Sequence, residues 1–300
     1  MSADGRAVVA GVWPRDVLVV SGPDAVTYLQ GQLSADVVTL DPGQSCLALL
    51  LAPTGKLDAV LRLWRTDEHV VVIDTDGGAV GSGAEGAGDA VEARLRRFLL
   101  RTDAAIERLD WQCVAVRGEG SVTAGRPAGG GGGPGAELVG LGLWPGVDGV
   151  DLLGPGVELP AGVAPASAQE LEVMRVRAGW PAFGAEYGSE ASGEVIPAEV
   201  GPWLITAAVS FTKGCYVGQE LTARIDSRGG NVPRHLRSFV LPAEATASPG
   251  DDIVVAGDEE AGPKGQVTSA ARDPATGAVV AMGYVHRSVA DDAPLAVQPA

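Results

Sequence analysis

Short apolar runs bounded by turn-forming residues are the feature of this sequence that most constrains its fold. The runs at 17–21, 46–51 and 69–74 are rich in Val, Leu and Ile, and Gly, Pro and Asp residues lie between them. Branched side chains in short runs favour β-strands, and hairpin-length spacings favour antiparallel pairing. Helical spacing of apolar residues is confined to a few stretches, such as 25–33 and 90–100. We therefore expect an α+β fold with antiparallel sheets rather than a doubly wound parallel sheet.

The C-terminal part of the chain contains short alternating stretches that Pro, Gly and Asp turns separate. These stretches lie at 237–241, 253–255, 265–269 and 279–284. The pattern predicts a small C-terminal β-barrel. A chain of 300 residues is also long for a single core, so several regions are expected. The predicted regions are an N-terminal α+β region at 1–110, a second α+β region at 111–234 and the barrel at 235–300.

Local signals mark the ends of two predicted helices. Asp24 precedes the first helical pattern and is expected to cap it. Ser167 and Glu170 have the spacing of a capping box, and Gly179 is expected to end the helix that begins there.

Two glycine-rich segments, at 77–88 and 125–135, are predicted to be loops. The second has no strand-to-helix context and no following Lys-Ser or Lys-Thr pair, so a phosphate-binding loop is not expected there.

Composition excludes several classes of function. The net charge of −16 repels polyanions, so we expect no stable nucleic-acid binding. No apolar run has membrane length, and the N-terminus lacks a basic segment followed by an apolar one, so neither membrane insertion nor a signal peptide is expected. Cys46, Cys113 and Cys215 are scattered and form no C-x-x-C pair, which indicates a reducing cytoplasm and no local metal site.

The string Lys-Gly-Cys-Tyr-Val-Gly-Gln-Glu at 213–220 concentrates an amine, a thiol, a phenol, an amide and a carboxylate. Leu221 and Ile225 come next at helical spacing, which predicts a tight turn that leads into a helix. Cys215 would then lie at or near a helix N-terminus, two residues after Lys213, and both features favour a thiolate. The alternative is a small buried cysteine that serves only for packing.

This string resembles the signature Lys-Gly-Cys-aromatic-x-Gly-Gln-Glu of the YgfZ family, which is related to the T-protein (aminomethyltransferase) of the glycine cleavage system. The likeness extends over roughly residues 20–235. Further matching segments lie at 22–37, 53–58, 96–101, 175–186 and 196–199. The resemblance implies a T-protein-like arrangement of domains around a central folate cavity, with region 1–110 as its folate-binding part.

Tetrahydrofolate is the cofactor that the resemblance implies. A folate pocket needs a carboxylate for the pterin, apolar or aromatic walls and cations for the glutamate tail. The candidate cofactor-binding residues are Asp58, Arg175, Glu186, Tyr187, Trp203, Tyr216, Gln219 and Glu220. Arg175 could equally form a structural ion pair with Glu172 or Glu186, and Trp180 and Phe183 are expected in the core.

The resemblance further implies an accessory protein that uses tetrahydrofolate to support assembly or repair of iron–sulfur clusters, including those of tRNA-modifying enzymes. Cys215 would supply the thiol and Lys213 would hold it as thiolate. The partners would be iron–sulfur enzymes or assembly factors.

Two alternatives remain: a folate-dependent aminomethyltransferase of the glycine cleavage type, and a non-catalytic folate-binding scaffold. Arg177 stands where those enzymes carry a carboxylate, and their Asn- and Asp-containing pattern does not follow Asp74. Both departures argue against efficient aminomethyl transfer.

Overall fold

The computed structural model describes residues 7–78, 86–121, 135–190, 192–258 and 262–300. Most of the predicted loops at 77–88 and 125–135 therefore lies outside the described residues. The described strands are β1 (Val9–Val12), β2 (Arg15–Ser21), β3 (Ser45–Leu51), β4 (Leu57–Asp67), β5 (Val70–Asp76), β6 (Ala105–Leu109), β7 (Gln112–Arg117), β8 (Leu138–Leu141), β9 (Gly149–Gly154), β10 (Ala164–Pro165), β11 (Arg234–Leu241), β12 (Asp252–Val255), β13 (Gly265–Arg272), β14 (Val279–His286) and β15 (Leu295–Gln298). The described helices are α1 (Ala25–Gln32), α2 (Gly88–Arg97), α3 (Ala168–Ala178), α4 (Pro197–Val200), α5 (Pro202–Ala208) and α6 (Gln219–Ser227).

The chain folds into two compact units, each assembled from segments that are not consecutive. Unit 1 contains the described parts of Met1–Pro14, Trp111–Pro181 and Leu236–Ala300, and unit 2 those of Arg15–Asp110 and Ala182–His235. The three consecutive regions at 1–110, 111–234 and 235–300 stay a prediction. None of the helices in the described ranges is long and apolar enough to span a bilayer.

Unit 2 is built on one antiparallel sheet with the order β3-β4-β5-β2-β6. The runs predicted as strands form β2, β3 and β5, because their branched side chains can be buried against helices. Leu18, Leu61 and Ile73 are fully buried in its core, as is Leu29 from α1. Asp24 takes the predicted N-cap position of α1, but its side chain caps nothing; it accepts a hydrogen bond from the Asp103 backbone N–H at 2.8 Å instead.

Unit 1 contains two five-stranded sheets. One has the order β10-β1-β7-β9-β8, and its β1–β10 pair is parallel. The other has the order β11-β14-β13-β12-β15, and its pairs β14–β13, β13–β12 and β12–β15 are antiparallel. The predicted C-terminal strands are therefore present as a sheet, and its closure into a barrel stays a prediction.

Helix α3 of unit 1 begins and ends as the sequence predicts. The Ser167 hydroxyl accepts from the Glu170 backbone N–H, and the Glu170 carboxylate accepts from that of Ser167. Gly179 ends the helix with a φ of 70°, a left-handed conformation that glycine adopts without steric cost.

A buried charge cluster crosses three strands of the unit 2 sheet. The Asp74 carboxylate is fully buried and accepts from Arg62 Nε at 2.8 Å, from Trp64 Nε1 at 2.6 Å and from Arg15 Nε at 2.7 Å. Burial by itself raises the pKa of Asp74, but the two guanidinium groups and the hydrogen bonds outweigh burial and lower that pKa to about 2. The cluster therefore depends on the ionised carboxylate.

We expect Asp74→Asn to lower the free energy of unfolding by about 3–5 kcal/mol, because two buried guanidinium groups lose their counter-charge. The wild-type carboxylate has a lower pKa in the folded state than in the unfolded state. Its contribution to the free energy of unfolding is therefore complete above about pH 4 and is lost as the pH falls through about 2. Urea unfolding at several pH values measures both effects. The exposed Asp67→Asn variant is the control and should change stability by less than about 0.5 kcal/mol; an equal loss in both variants would contradict the prediction.

Candidate functional site

The motif at 213–220 lies in unit 2; residues 213–218 belong to the segment that joins α5 to α6, and Gln219 and Glu220 are the first residues of α6. Gly218 is the N-cap of α6 with a φ of 82°, and the helix begins at Gln219. The predicted turn that leads into a helix is thus confirmed. The sequence predicts Cys215 at or near the helix N-terminus; it lies outside the helix, because it precedes Gln219 by four positions and Gly218 occupies the cap, so it is near the N-terminus only along the chain.

Gly218 also lets the motif approach the turn between β3 and β4. A Cβ atom on Gly218 would lie 2.5 Å from the Ala52 carbonyl oxygen and 2.7 Å from Leu51 Cβ. On the other side of the contact, a Cβ atom on Gly55 would lie 2.5 Å from Leu221 Cβ. Both glycines have positive φ, so backbone geometry and close approach exclude a side chain at each position.

Lys213 anchors the motif to the C-terminal end of α1. Its Nζ donates to the carbonyl oxygens of Gln30 at 2.6 Å, Leu33 at 2.7 Å and Ala35 at 2.7 Å. An ammonium has three N–H donors, and a cation is favoured where the last carbonyls of a helix point. Lys213 therefore has no N–H left to donate to a Cys215 thiolate, and it can act on that thiol only through its charge.

Burial lowers the pKa of Lys213 to about 8, while Asp36 and Cys46 act in the opposite direction. The amine therefore stays charged at pH 7. Its Nζ also lies 5.2 Å from the centre of the Tyr216 ring, a distance at which a cation and an aromatic face attract each other.

The rest of the motif is organised by backbone contacts. The Tyr216 side chain is buried, and its burial raises the pKa of its phenol. The Tyr216 backbone N–H donates to Gln219 Oε1 at 3.2 Å, and the Val217 N–H donates to the Gly31 carbonyl at 3.3 Å. Gln219 thus closes the turn of its own motif, while Glu220 and Cys215 are exposed.

The three cysteines have different surroundings. Cys215 is exposed and Cys113 is buried. Cys46 is partly buried, and burial raises the pKa of its thiol to about 11, against the opposing charge of Lys213. Within the described ranges, no group of three or more His, Cys, Asp or Glu side chains is arranged to hold a metal ion.

Asp58 lies on β4, three residues after Gly55, and pairs with an arginine that the sequence alone did not single out. Burial raises the pKa of the Asp58 carboxyl, and Arg94 acts in the opposite direction. Arg94 Nε lies 3.9 Å from Asp58 Oδ2. Arg94 Nη1 and Nη2 are buried and have no hydrogen-bond partner among the described residues. The position of Arg94 between the apolar Val91 and Leu95 of α2 is the one sequence signal of this burial.

Glu186 and Tyr187 are both fully buried in unit 2. Glu186 Oε2 accepts from the Ala182 backbone N–H at 2.9 Å. Tyr187 packs edge-to-face on Phe183, with ring centres 5.7 Å apart. Its hydroxyl lies near the Val60 backbone but makes no hydrogen bond of normal geometry within the described part of the chain, and burial raises its pKa.

The remaining candidates are Trp203 and Arg175. Trp203, in α5 of unit 2, is half-buried and covers Gly201, where a Cβ atom would lie 2.9 Å from Trp203 Cδ1. Arg175 belongs to unit 1 and is buried. It donates to Glu172 Oε1 at 2.6 Å, to the Trp180 carbonyl at 2.6 Å and to Ser269 Oγ at 2.8 Å. The structural ion pair with Glu172, one of the two interpretations open from the sequence, is therefore present.

Comparisons with known proteins point to one family. No protein-family model matches the sequence. The chain is 29% identical over 260 residues to an uncharacterized protein of Haemophilus influenzae, covering 85% of this chain and 81% of that one. It is 28% identical over 258 residues to a protein of Pectobacterium carotovorum named tRNA-modifying protein YgfZ, covering 77% and 70% of the two chains. It is also 27% identical over 288 residues to an aminomethyltransferase of Rubrobacter xylanophilus, covering 88% and 72%.

A solved structure has the same fold. The glycine cleavage system aminomethyltransferase T of Bartonella henselae superposes with a TM-score of 0.66 and 20% sequence identity, over 95% of this chain and 80% of that one. The chain thus has the fold class of the glycine-cleavage aminomethyltransferases, with antiparallel sheets and few helices. Within that class, the similarity to proteins named YgfZ and to aminomethyltransferases supports a YgfZ-family protein related to the T-protein.

We expect Lys213→Met to lower the free energy of unfolding by about 2–3 kcal/mol, because three carbonyls lose a charge-assisted partner while the apolar stem is retained. Lys56→Met is the matched control: the one ion pair of Lys56 within the described residues joins it to the exposed Glu194 at 3.4 Å, so this variant should change stability by less than about 1 kcal/mol. Chemical unfolding of both variants measures the difference. Equal losses would contradict the anchoring role of Lys213.

We expect iodoacetamide at pH 7 to modify Cys215 faster than Cys46 or Cys113. Cys215 is exposed, whereas burial hinders access to Cys113 and raises the pKa of Cys46 to about 11. Mass spectrometry of tryptic peptides, sampled over time, gives the three rates. A Cys46 rate equal to that of Cys215 would refute this order.

Proposed function

We propose that this YgfZ-family protein binds tetrahydrofolate and supports the assembly or repair of iron–sulfur clusters, including those of tRNA-modifying enzymes, through the thiol of Cys215. The observation that carries the proposal is an exposed thiol on a segment fixed at both sides. Lys213 ties the segment to α1 through three hydrogen bonds, and Gly218 packs it against the turn at residues 52–55.

An exposed cysteine in a fixed loop suits transfer to a partner better than storage of a cluster. Stable iron–sulfur clusters take four ligands in most proteins. Cys215 is a single thiol, and the described residues place no group of three or more metal-ligating side chains together. A cluster or sulfur species held by Cys215 would therefore be shared with a partner protein. The iron–sulfur enzyme or assembly factor would contribute the other ligands.

The donor set of unit 2 fits a reduced folate. Asp58 offers a partly accessible carboxylate for the amide-like edge of a pterin. Arg94 beside it stacks on Phe98, 4.3 Å from the ring centre, and its two buried terminal nitrogens would suit a carboxylate or carbonyl oxygen once the side chain turns toward a ligand. Tetrahydrofolate bound here would supply one-carbon chemistry, and these residues would orient it.

The aminomethyltransferase alternative is favoured by one observation, the match over 88% of this chain to an enzyme of that name. Arg177 argues against it. Arg177 occupies the sequence position where those enzymes carry an acid, and its guanidinium lies 3.2 Å from the Asp273 carboxylate. A cation there raises the cost of positive charge on a reacting amine, and loss of about 3–4 kcal/mol would slow turnover by roughly two to three orders of magnitude.

We expect calorimetric titration to give saturable tetrahydrofolate binding, about tenfold weaker in Asp58→Asn and unchanged in Cys215→Ser. In cells that lack the protein, Cys215→Ser should fail to restore the activity of an iron–sulfur tRNA-modifying enzyme, while the control Cys46→Ala should restore it. The two readouts separate folate binding from the thiol.

Three outcomes would overturn the proposal. Absence of saturable folate binding would refute the cofactor. Full restoration by Cys215→Ser would favour the non-catalytic scaffold. Release of ammonia and methylene-folate from an aminomethylated lipoyl carrier, at a rate comparable to that of a T-protein, would favour the aminomethyltransferase.

A further inference from the structure

A cavity of about 250 Å³ lies in unit 2, on a face of helix α6, which comes directly after the motif. Its walls come from α4, α5 and α6, together with Gly55, the Gly229–Gly230 pair and His235. None of Lys213, Cys215 and Tyr216 lines it. The cavity is therefore separate from the motif thiol, and a ligand bound in it would be a second ligand beyond the proposed folate.

The chemistry of the walls is mainly apolar. The apolar side chains are Ile196, Pro197, Pro202, Ile205, Leu221 and Ile225. An apolar cavity of about 150 Å³ is large enough to bind benzene, so this one can accept a fused two-ring aromatic group. Ligand sites in proteins combine such walls with a few polar groups that fix the orientation of the ligand.

Thr222 supplies a polar group inside the cavity. Its side chain lines the wall, the residue is only 4% exposed, and its Oγ1 has no hydrogen-bond partner among the described residues. A buried hydroxyl without a partner costs about 1–3 kcal/mol, and native proteins seldom leave one so. A ligand with a hydrogen-bonding group would satisfy it once the Thr222 side chain rotates to turn its buried Oγ1 toward the cavity.

Among the residues that line the cavity, the charged side chain is a carboxylate. Asp226 is the carboxylate among the lining residues and is exposed, while His235 is the one lining side chain with a basic ring. The protein as a whole carries a net charge of −16. A cation is therefore attracted and an anion of the same shape is repelled.

We propose that this cavity binds a small aromatic amine, with its rings against the apolar walls, a polar group at Thr222 and its positive charge near Asp226. The two ends of the ligand are thus recognised by residues one turn apart on α6. The apolar contacts give most of the affinity, and the two polar groups give orientation and charge selection.

Tryptamine and indole-3-acetate test the proposal, because they share one ring system and differ in charge. Titration of the full chain, followed by chemical-shift changes of backbone amides in α6, should show saturable tryptamine binding and about tenfold weaker binding of indole-3-acetate. Asp226→Asn should reduce that preference to about threefold or less. Thr222→Val, which keeps the shape of the side chain, should weaken tryptamine binding by about three- to tenfold.

Two controls make the result decisive. Thr66→Val removes an exposed hydroxyl elsewhere in unit 2 and should leave tryptamine affinity unchanged. Ile205→Trp fills the cavity and should abolish binding, with retention of the wild-type circular dichroism spectrum as evidence of folding. The proposal is overturned if tryptamine binding to the wild type does not saturate. It is also overturned if Thr222→Val, or Ile205→Trp in its folded form, binds tryptamine as tightly as the wild type.

Discussion

The three hydrogen bonds from Lys213 to the end of α1 are the interaction on which the candidate site depends. Gln30, Leu33 and Ala35 present their carbonyl oxygens to one ammonium at 2.6–2.7 Å. The convergence of three acceptors on a point charge suits lysine, whereas the planar fork of arginine presents its donors in one plane. Since the same cation faces the Tyr216 ring, the chain on both sides of Cys215 is held. The exposed thiol is therefore carried by an ordered support.

A second constraint, the close approach of Gly55 and Gly218, joins this support to the unit 2 sheet. The turn that carries Gly55 connects β3 to β4, and Asp58 lies just beyond it on β4. The motif and the cavity beside α6 thus share one contact, and the proposed folate carboxylate follows that contact along β4. Leu221 packs on Gly55 and also lines the cavity. A substitution at this contact would therefore alter the cavity as well as the position of the motif.

Buried charges in this protein fall into two kinds. Asp74 is surrounded by Arg15, Arg62 and Trp64, so its charge is fully compensated and serves the fold. Arg94 stacks on the Phe98 ring, lies 3.9 Å from the Asp58 carboxylate, and has two buried nitrogens without a hydrogen-bond partner among the described residues. A compensated cluster is a structural element, whereas an incompletely compensated one can be completed by a ligand. This difference is the physical reason to assign Arg94, and not Arg62, to the proposed folate site.

The sequence by itself determined the antiparallel α+β class, the strands β2, β3 and β5, the capping of α3 and the family, because these depend on local patterns and a contiguous motif. It left open whether Cys215 lies at the helix N-terminus or only near it, since Gly218 takes the cap through a contact with a turn more than 160 residues earlier in the chain. Nor could it predict that Lys213 donates its hydrogen bonds to the end of α1, or that the Arg94 side chain is buried. Those facts depend on which distant backbone atoms converge, and only tertiary packing decides that.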